Sequence, residues 1–304
     1  MGGLSTMKQP RFVALGYCSN DHLCRIPEIP VDGKIEMTEH LIQGGGPAGD
    51  AAVGAARLGL DAAFVTAIGD DPDGKKILQD FAAEGVDASA IRVRKGGGSP
   101  VAYCWITPDG GRSVAWTKSG LELLKKDEIP VEMIRNAKAL HLDGHHPDAA
   151  VAAARVAKAA GVLVCLDAGT FTPRIGELLE LADVLIASEA FARKWSGEND
   201  LDKALCKLGT LGAKVTGITA GKEGSLLLAA DGSILRVPAF TELPVVDTTG
   251  AGDAYHCGFE VRYLEGASPE ECMRFASAFA GLKCGKLGAR AGLPDRKTVD
   301  EFLK

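Results

Sequence analysis

The chain has 304 residues, 46% hydrophobic and 24% charged, a globular composition that excludes a disordered or fibrous polymer and supplies enough chain for one large core. A formal charge of −6 with no basic run argues against nucleic acid, whose binding rests on clustered Lys and Arg neutralising phosphates. Eight cysteines with no C-x-x-C pair and no zinc-like Cys/His spacing fit reduced core thiols, and no run reaches the roughly 18 apolar residues of a membrane span, so a cytoplasmic protein with a small-molecule partner is expected.

In chain order, "RFVALGY" (11–17) predicts a first strand. "HLCRIPEIPVDGKIEMTEHLIQ" (22–43) then interrupts any helix–strand alternation, before "GGGPAGDAAVGAARLG" (44–59) opens an apolar helix. "AAFVTAIG" predicts the next strand, and "SPVAYCWITPDGGRSVAWTKS" (99–119) reads as a hairpin turning at "PDGG",. Val101, Tyr103 and Trp105 alternate there with Ala102, Cys104 and Ile106. The two interruptions together predict a small β lid, 22–43 and 99–118, whose exposed edge could pair with a second copy in a homodimer. The rhythm resumes with "ALHLDG", the helix "PDAAVAAARVAKAAG" with Pro147 in its first turn and Gly161 after its end, then "VLVCLDAG", "DVLIAS" and "VTGITAG",. Continuous apolar runs indicate strands buried on both faces, hence a single domain over 1–304 of class α/β: a three-layer αβα fold with a mainly parallel sheet. Ligands of such sheets sit at the carboxyl ends of the strands.

Two glycine-rich loops compete for attention. Gly44, Gly46 and Gly49 spell G-x-G-x-x-G, with Asp70 downstream, but a dinucleotide fingerprint belongs at the first strand-to-helix turn and Pro47 removes an amide a pyrophosphate would use. Tight helix packing and close backbone approach to a small substrate are the competing readings. In "DTTGAGD" (247–253), Gly250, Ala251 and Gly252 let successive amides converge at a helix start, where the dipole also favours an anion,. Asp253 stands where a carboxylate could touch a hydroxyl acceptor while the amides hold a phosphoryl group. The dipole is expected to keep this acid ionised and a weak base. G-x-x-x-x-G-K-[ST] is absent, excluding a P-loop. "LDGHHPD" offers Asp143, His145, His146 and Asp148, which could form a metal site, a substrate rim or a plain turn; Arg112 is left between contact with an acidic or phosphorylated substrate and an exposed turn, and Arg290 between the nucleotide, the phosphoryl group and plain surface.

With "DTTGAGD" as C-terminal signature, "GGGPAGDAAVGAARLG" as N-terminal one, and "GDDPDG", "TAGKEG" and "FASAFAGLKCGKLGARAGLP" in order between and after, nearly the whole chain resembles the PfkB, or ribokinase-like, carbohydrate kinases, in flavour nearest to bacterial sulfofructose-kinase and ketohexokinase-like members. The resemblance implies Asp253 as catalytic base and the amides of Gly250, Ala251 and Gly252 as anion hole. It also implies Ser188, Thr219, Gly221, Gly224 and Gly285 along the nucleotide, and Asp21, Gly45, Gly46, Asp50 and His145 around the sugar. ATP and Mg²⁺ are the implied cofactors, with a monovalent cation such as K⁺ at Asp247 and the carbonyl of Thr249. Two departures stand out: Asp50 replaces the family's sugar-contacting Asn, and "SEAF" replaces N-x-x-E with Ser188 and Phe191, so magnesium would be held through phosphates and water. The expected activity is ATP-dependent phosphorylation of a primary hydroxyl of a small sugar. A nucleoside kinase, with Tyr103, Trp105 or Trp116 stacking a base, and a non-catalytic sugar-binding regulator remain the alternatives.

Overall fold

The computed structural model describes residues 11–108 and 111–304. Its strands are β1 (Phe12–Leu15), β2 (Ser19–Arg25), β3 (Glu39–Gly45), β4 (Ala62–Val65), β5 (Ala67–Gly69), β6 (Arg92–Arg94), β7 (Val101–Ile106), β8 (Arg112–Thr117), β9 (Ala139–Leu142), β10 (Leu163–Ala168), β11 (Val184–Ser188), β12 (Val215–Thr219), β13 (Ser225–Leu228) and β14 (Ile234–Val237). Its α-helices are α1 (Pro47–Arg57), α2 (Pro72–Ala83), α3 (Val131–Arg135), α4 (Pro147–Ala159), α5 (Ile175–Leu181), α6 (Glu189–Ser196), α7 (Leu201–Gly209), α8 (Ala251–Leu264), α9 (Pro269–Lys283) and α10 (Arg296–Phe302).

Among the described residues, eight strands form one sheet in the order β14-β13-β12-β11-β10-β9-β1-β4. The six from β4 to β12 run parallel, and β13 and β14 return antiparallel at the edge. β1 shows why the strands read as unbroken apolar runs. Phe12 and Ala14 pack with α1, α2, α8, α9 and α10, while Val13 and Leu15 pack with α3 to α7, so both faces are buried and the three-layer expectation holds. α4 begins at Pro147 and is followed by Gly161 at φ 72°, the left-handed turn that a Cβ would strain.

One predicted strand divides. "AAFVTAIG" enters the large sheet only as β4; β5 swings out to pair with β6 in a two-stranded ribbon. The break falls at buried Thr66, whose hydroxyl donates to the Gly16 carbonyl at 2.7 Å and lies 3.0 Å from His146 Nε2, polar bonds that pull the chain off the sheet line.

A second sheet, β3-β2-β7-β8, stands off the first. It occupies the two interruptions, although β2 already begins at Ser19, and Asp109 and Gly110 of the "PDGG" turn lie outside the described residues. The register fixes its inner face. Asp21 pairs with Ala102, and Ala102 and Cys104 oppose Trp116 and Val114, with Arg112 opposite Ile106. Side chains repeat every second residue along a strand, so this set looks one way. Leu23, Ala102, Cys104, Ile106 and Leu287 form a satellite core beneath it. No helix among the described residues is long and apolar enough to cross a membrane.

Candidate active site

Two cavities open at the carboxyl ends of the parallel strands. The first, about 460 Å³, lies between the inner face of the small sheet and the ends of β1, β9, β10 and β11; Asp21, Gly46, Asp50, Arg112, Trp116, Asp143, His145, Asp167, Ser188, Asp253 and His256 line it. The second, about 280 Å³, is mostly apolar, with Gly221, Gly224, Phe240, Leu243, Val245, Tyr255, Ala280 and Cys284 among its walls. Thr219, Thr248 and Gly252 line both. The cavities therefore meet over the N-terminus of α8.

That N-terminus is built by glycine. Gly250 is the N-cap at φ 75°, and a Cβ there would come within 2.6 Å of Ala289, so the turn needs both its free torsion and its empty side. One expectation changes here. The Ala251 amide donates to the Thr248 carbonyl at 3.1 Å, and Ala251 lines only the apolar cavity. Gly250, Gly252 and Asp253 line the polar one, and as N-cap and first-turn positions their amides have no intrahelical partner. Residues 250, 252 and 253 are thus the ones that line the polar cavity at this helix start.

Asp253 is partly buried, and its carboxyl is raised to about 6, first by burial and then by the like charge of Asp167, against the pull of His256, Arg112 and His141. The sequence expectation of a weak base is corrected: desolvation and a second carboxylate outweigh the helix dipole. Behind it lies a buried network. His256 Nε2 is 3.2 Å from Asp167 Oδ1, and burial holds His256 neutral, down to about 4, while raising Asp167 to about 7. His141 Nδ1 contacts both Glu260 oxygens at 2.9 and 3.0 Å. Burial opposes its charge, but the Glu260 carboxylate prevails and His141 rises to about 9. Asp253, His256 and Glu260 follow one another at helical spacing on the face of α8 that meets β9 and β10. Asp167 and His256 were not singled out from sequence; the position of Asp167 at the carboxyl end of a parallel strand is the signal that could have found it.

The glycines at 44, 45 and 49 clear space for neighbouring side chains. A Cβ at Gly45 would lie 2.1 Å from the Asp21 carboxylate, and one at Gly44 or Gly49 would strike the Arg290 guanidinium. These glycines make a slot for two side chains. Arg290 is buried, donates through Nε to Asp50 Oδ1 at 2.7 Å and through Nη2 to the Gly45 carbonyl at 3.2 Å, and lies over Phe81. Asp50 reaches the cavity already paired. Gly46, rather than Gly45, lines it.

Other expected residues separate. Asp143 spends its carboxylate on the amides of Tyr17, Ala48 and His145. His146 is held between Thr66 Oγ1 and the Leu124 amide, which leaves His145 alone facing the cavity beside Tyr17 and Trp116. No group of three or more His, Cys, Asp or Glu side chains that could hold a metal occurs among the described residues. Ser188 caps α6 by accepting from the Phe191 amide at 3.2 Å, and Phe191 is buried against Phe171, so position 191 offers no carboxylate for magnesium, and the acid of this corner, Glu189, is paired with Arg193. Gly285 lies one residue beyond the wall of the apolar cavity formed by Cys284. The monovalent-cation expectation does not fit: Asp247 Oδ1 accepts from the amide and hydroxyl of Thr249, Oδ2 accepts from the Gly288 amide, and its main-chain carbonyl accepts from Lys283 Nζ.

Residues 9–296 match the pfkB family carbohydrate kinases. The chain belongs to that family. An ATP-dependent ribose-1-phosphate kinase of Halopiger xanaduensis is 31% identical, with 96% of this chain and 98% of the relative covered. The ribokinase of Arabidopsis thaliana is 32% identical over 97% of this chain and 81% of its own; its structure, complexed with ribose and ATP, superposes at TM-score 0.84 with 31% identity over 97% and 99% of the two chains. Adenosine kinase from Sinorhizobium meliloti superposes at TM-score 0.85 with 25% identity over 97% and 100%. Membership makes this pfkB chain a phosphotransferase with an alcohol group as acceptor, on the ribokinase fold read from its sequence.

Proposed function

We propose that this enzyme transfers the γ-phosphoryl group of ATP to a primary hydroxyl of a small sugar of ketose or pentose type. The observation that carries the reading is the junction of the two cavities at Gly252, Thr219 and Thr248 with Asp253 on the polar side. The base and ribose of ATP occupy the apolar cavity, and the triphosphate crosses the amides of 250, 252 and 253. The acceptor lies under the small sheet near Asp21, Asp50 and His145. Asp253 takes the hydroxyl proton as the new O–P bond forms and the bond to the bridging β-oxygen breaks, its electron pair leaving with ADP. Little proton removal precedes a loose transition state, so positioning and the amide field contribute most. Mg²⁺ would be held through the phosphate oxygens of ATP rather than by the 188–191 corner, and would supply charge neutralisation at the triphosphate. A homodimer through the outer face of the small sheet, where His22 stacks on Tyr103 and Ile42 is exposed, belongs to the same proposal; a monomeric mass by light scattering would remove it.

A nucleoside acceptor is the second reading, because Tyr17 and Trp116 meet edge to face at 5.8 Å on the cavity wall. Of the other two aromatics considered, Tyr103 lies outward on His22 and Trp105 lines a separate surface hollow. Coupled ADP-release assays across pentoses, ketohexoses, sulfosugars, pentose 1-phosphates and nucleosides separate these readings. Acceptor-dependent turnover that disappears in Asp253→Asn is expected. ADP release independent of every acceptor, or untouched by that substitution, would overturn the proposal.

A further inference from the structure

Lys283, the last residue of α9, is wholly buried. Lysine is almost never fully buried unless its charge is compensated. Its ammonium donates to the Asp247 carbonyl at 2.8 Å, the first residue of the loop that ends in the phosphoryl-binding amides. The same residue's carboxylate is already committed to Thr249 and Gly288. The ammonium also stands at the C-terminal, negative end of α9, where a cation is favoured; burial pulls its pKa below the ordinary lysine value, against the fields of Cys284, Asp247, Asp50 and Asp253 that favour the charge. A potassium ion is held by carbonyl oxygens that replace its water; here a covalently attached cation of similar size sits on such an oxygen, and a second positive charge at contact distance would be repelled.

We propose that Lys283 is a built-in cation that positions the 247–253 loop, so that this enzyme works without K⁺ at the place where the family resemblance implies one. Lys283 is a positioning residue: it touches the loop backbone, not the phosphoryl group. Lys283 on the 247–253 loop and Arg290 on Asp50 of the 44–50 loop are thus two buried side-chain cations, both from α9 and the segment after it.

The proposal rests on phosphoryl binding over this loop, and its test therefore reads binding and stability as well as turnover. The full-length protein is compared in KCl and in tetramethylammonium chloride by thermal unfolding and by MgADP titration, beside Lys283→Met and Lys283→Arg. The wild type and Lys283→Arg should show the same midpoint and MgADP affinity in both salts. Lys283→Met, which keeps the stem and vacates the charge, should gain a K⁺-specific tightening of MgADP of about 5- to 150-fold, the usual range for two coupled sites. A K⁺-specific gain in stability or affinity by the wild type overturns the proposal, and so does a folded Lys283→Met indifferent to K⁺. If Lys283→Met does not fold, wild-type crystals soaked in rubidium decide: an anomalous peak in contact with the Asp247 carbonyl refutes the idea, and its absence from a crystal showing rubidium elsewhere supports it. Absence of any MgADP binding in any salt would instead strike at the kinase reading itself.

Discussion

The acid limb of the rate profile tests the reading of Asp253 as base. With its carboxyl raised to about 6, the ionised fraction falls from about nine-tenths at pH 7 to about one-tenth at pH 5, so the proton-accepting form is depleted about tenfold. An ordinary Asp at 3.8 would lose only about 6% over the same interval. ATP also titrates in this range, because a terminal phosphate has a pKa near 6. The useful quantity is therefore the ratio of wild-type to Asp253→Asn kcat/KM, in which the nucleotide's own titration cancels. Asp253→Asn should lower kcat by about 10²- to 10⁴-fold, the usual contribution of a general base, and the ratio should then collapse about tenfold from pH 7 to pH 5. Asp167 raises Asp253 through its like charge and itself titrates near 7, so the limb belongs to the pair rather than to either acid. Asp167→Asn removes that charge, and the limb should move to lower pH. A ratio flat down to pH 5, or a limb displaced to higher pH in Asp167→Asn, would refute the electrostatic account.

Deleting one partner of the Asp50–Arg290 pair leaves a buried charge uncompensated, so Asp50→Ala should lose about 3–5 kcal/mol by urea denaturation, with the double replacement Asp50→Asn/Arg290→Gln recovering part of it. His141 is raised above its unfolded value of 6.5 to about 9 by Glu260, although burial opposes it; the folded state therefore binds the extra proton, and this stabilisation is full below pH 6.5 and lost as pH rises through about 9. Wild-type stability should decline across that window while Glu260→Gln shows no such decline; parallel curves would contradict the pairing. Ala280→Phe, which fills the apolar cavity from α9, should raise the KM for ATP about tenfold or more, a loss of about 1.4 kcal/mol, with the acceptor KM unchanged in steady-state kinetics.

What the sequence disclosed and what it withheld differ in range of interaction. β1, β9, β10, β11 and β12 were legible because burial on both faces writes itself into a short contiguous run, and the small sheet because its period of two is local. The antiparallel return of β13 and β14 was not read, although "AADGS" between two apolar runs carries a hairpin signal,. The site was legible as far as Asp253, since a glycine turn and an acid at a helix start share seven residues. Its tuning was not, because Asp167 lies 86 positions before Asp253 in the chain numbering and the sheet alone brings β10 against α8. The same distance hid the meaning of the N-terminal glycines. Their pattern matched both nucleotide and substrate contact, yet the volume they clear is filled by Asp21 and by Arg290, a residue that "GARAG" left ambiguous. An aspartate at 50 where the family has asparagine reads as a lost sugar contact until its partner is known. Paired with Arg290, it is a buried ion pair that holds the 44–50 loop to the segment after α9, and that segment also ties to Asp247 through Gly288. The buried charges at 50, 283 and 290 thus act on one object: the 44–50 loop, the 247–253 loop and the end of α9 are joined by internal charges, where a dissociable ion and a neutral amide would leave them free to respond to salt.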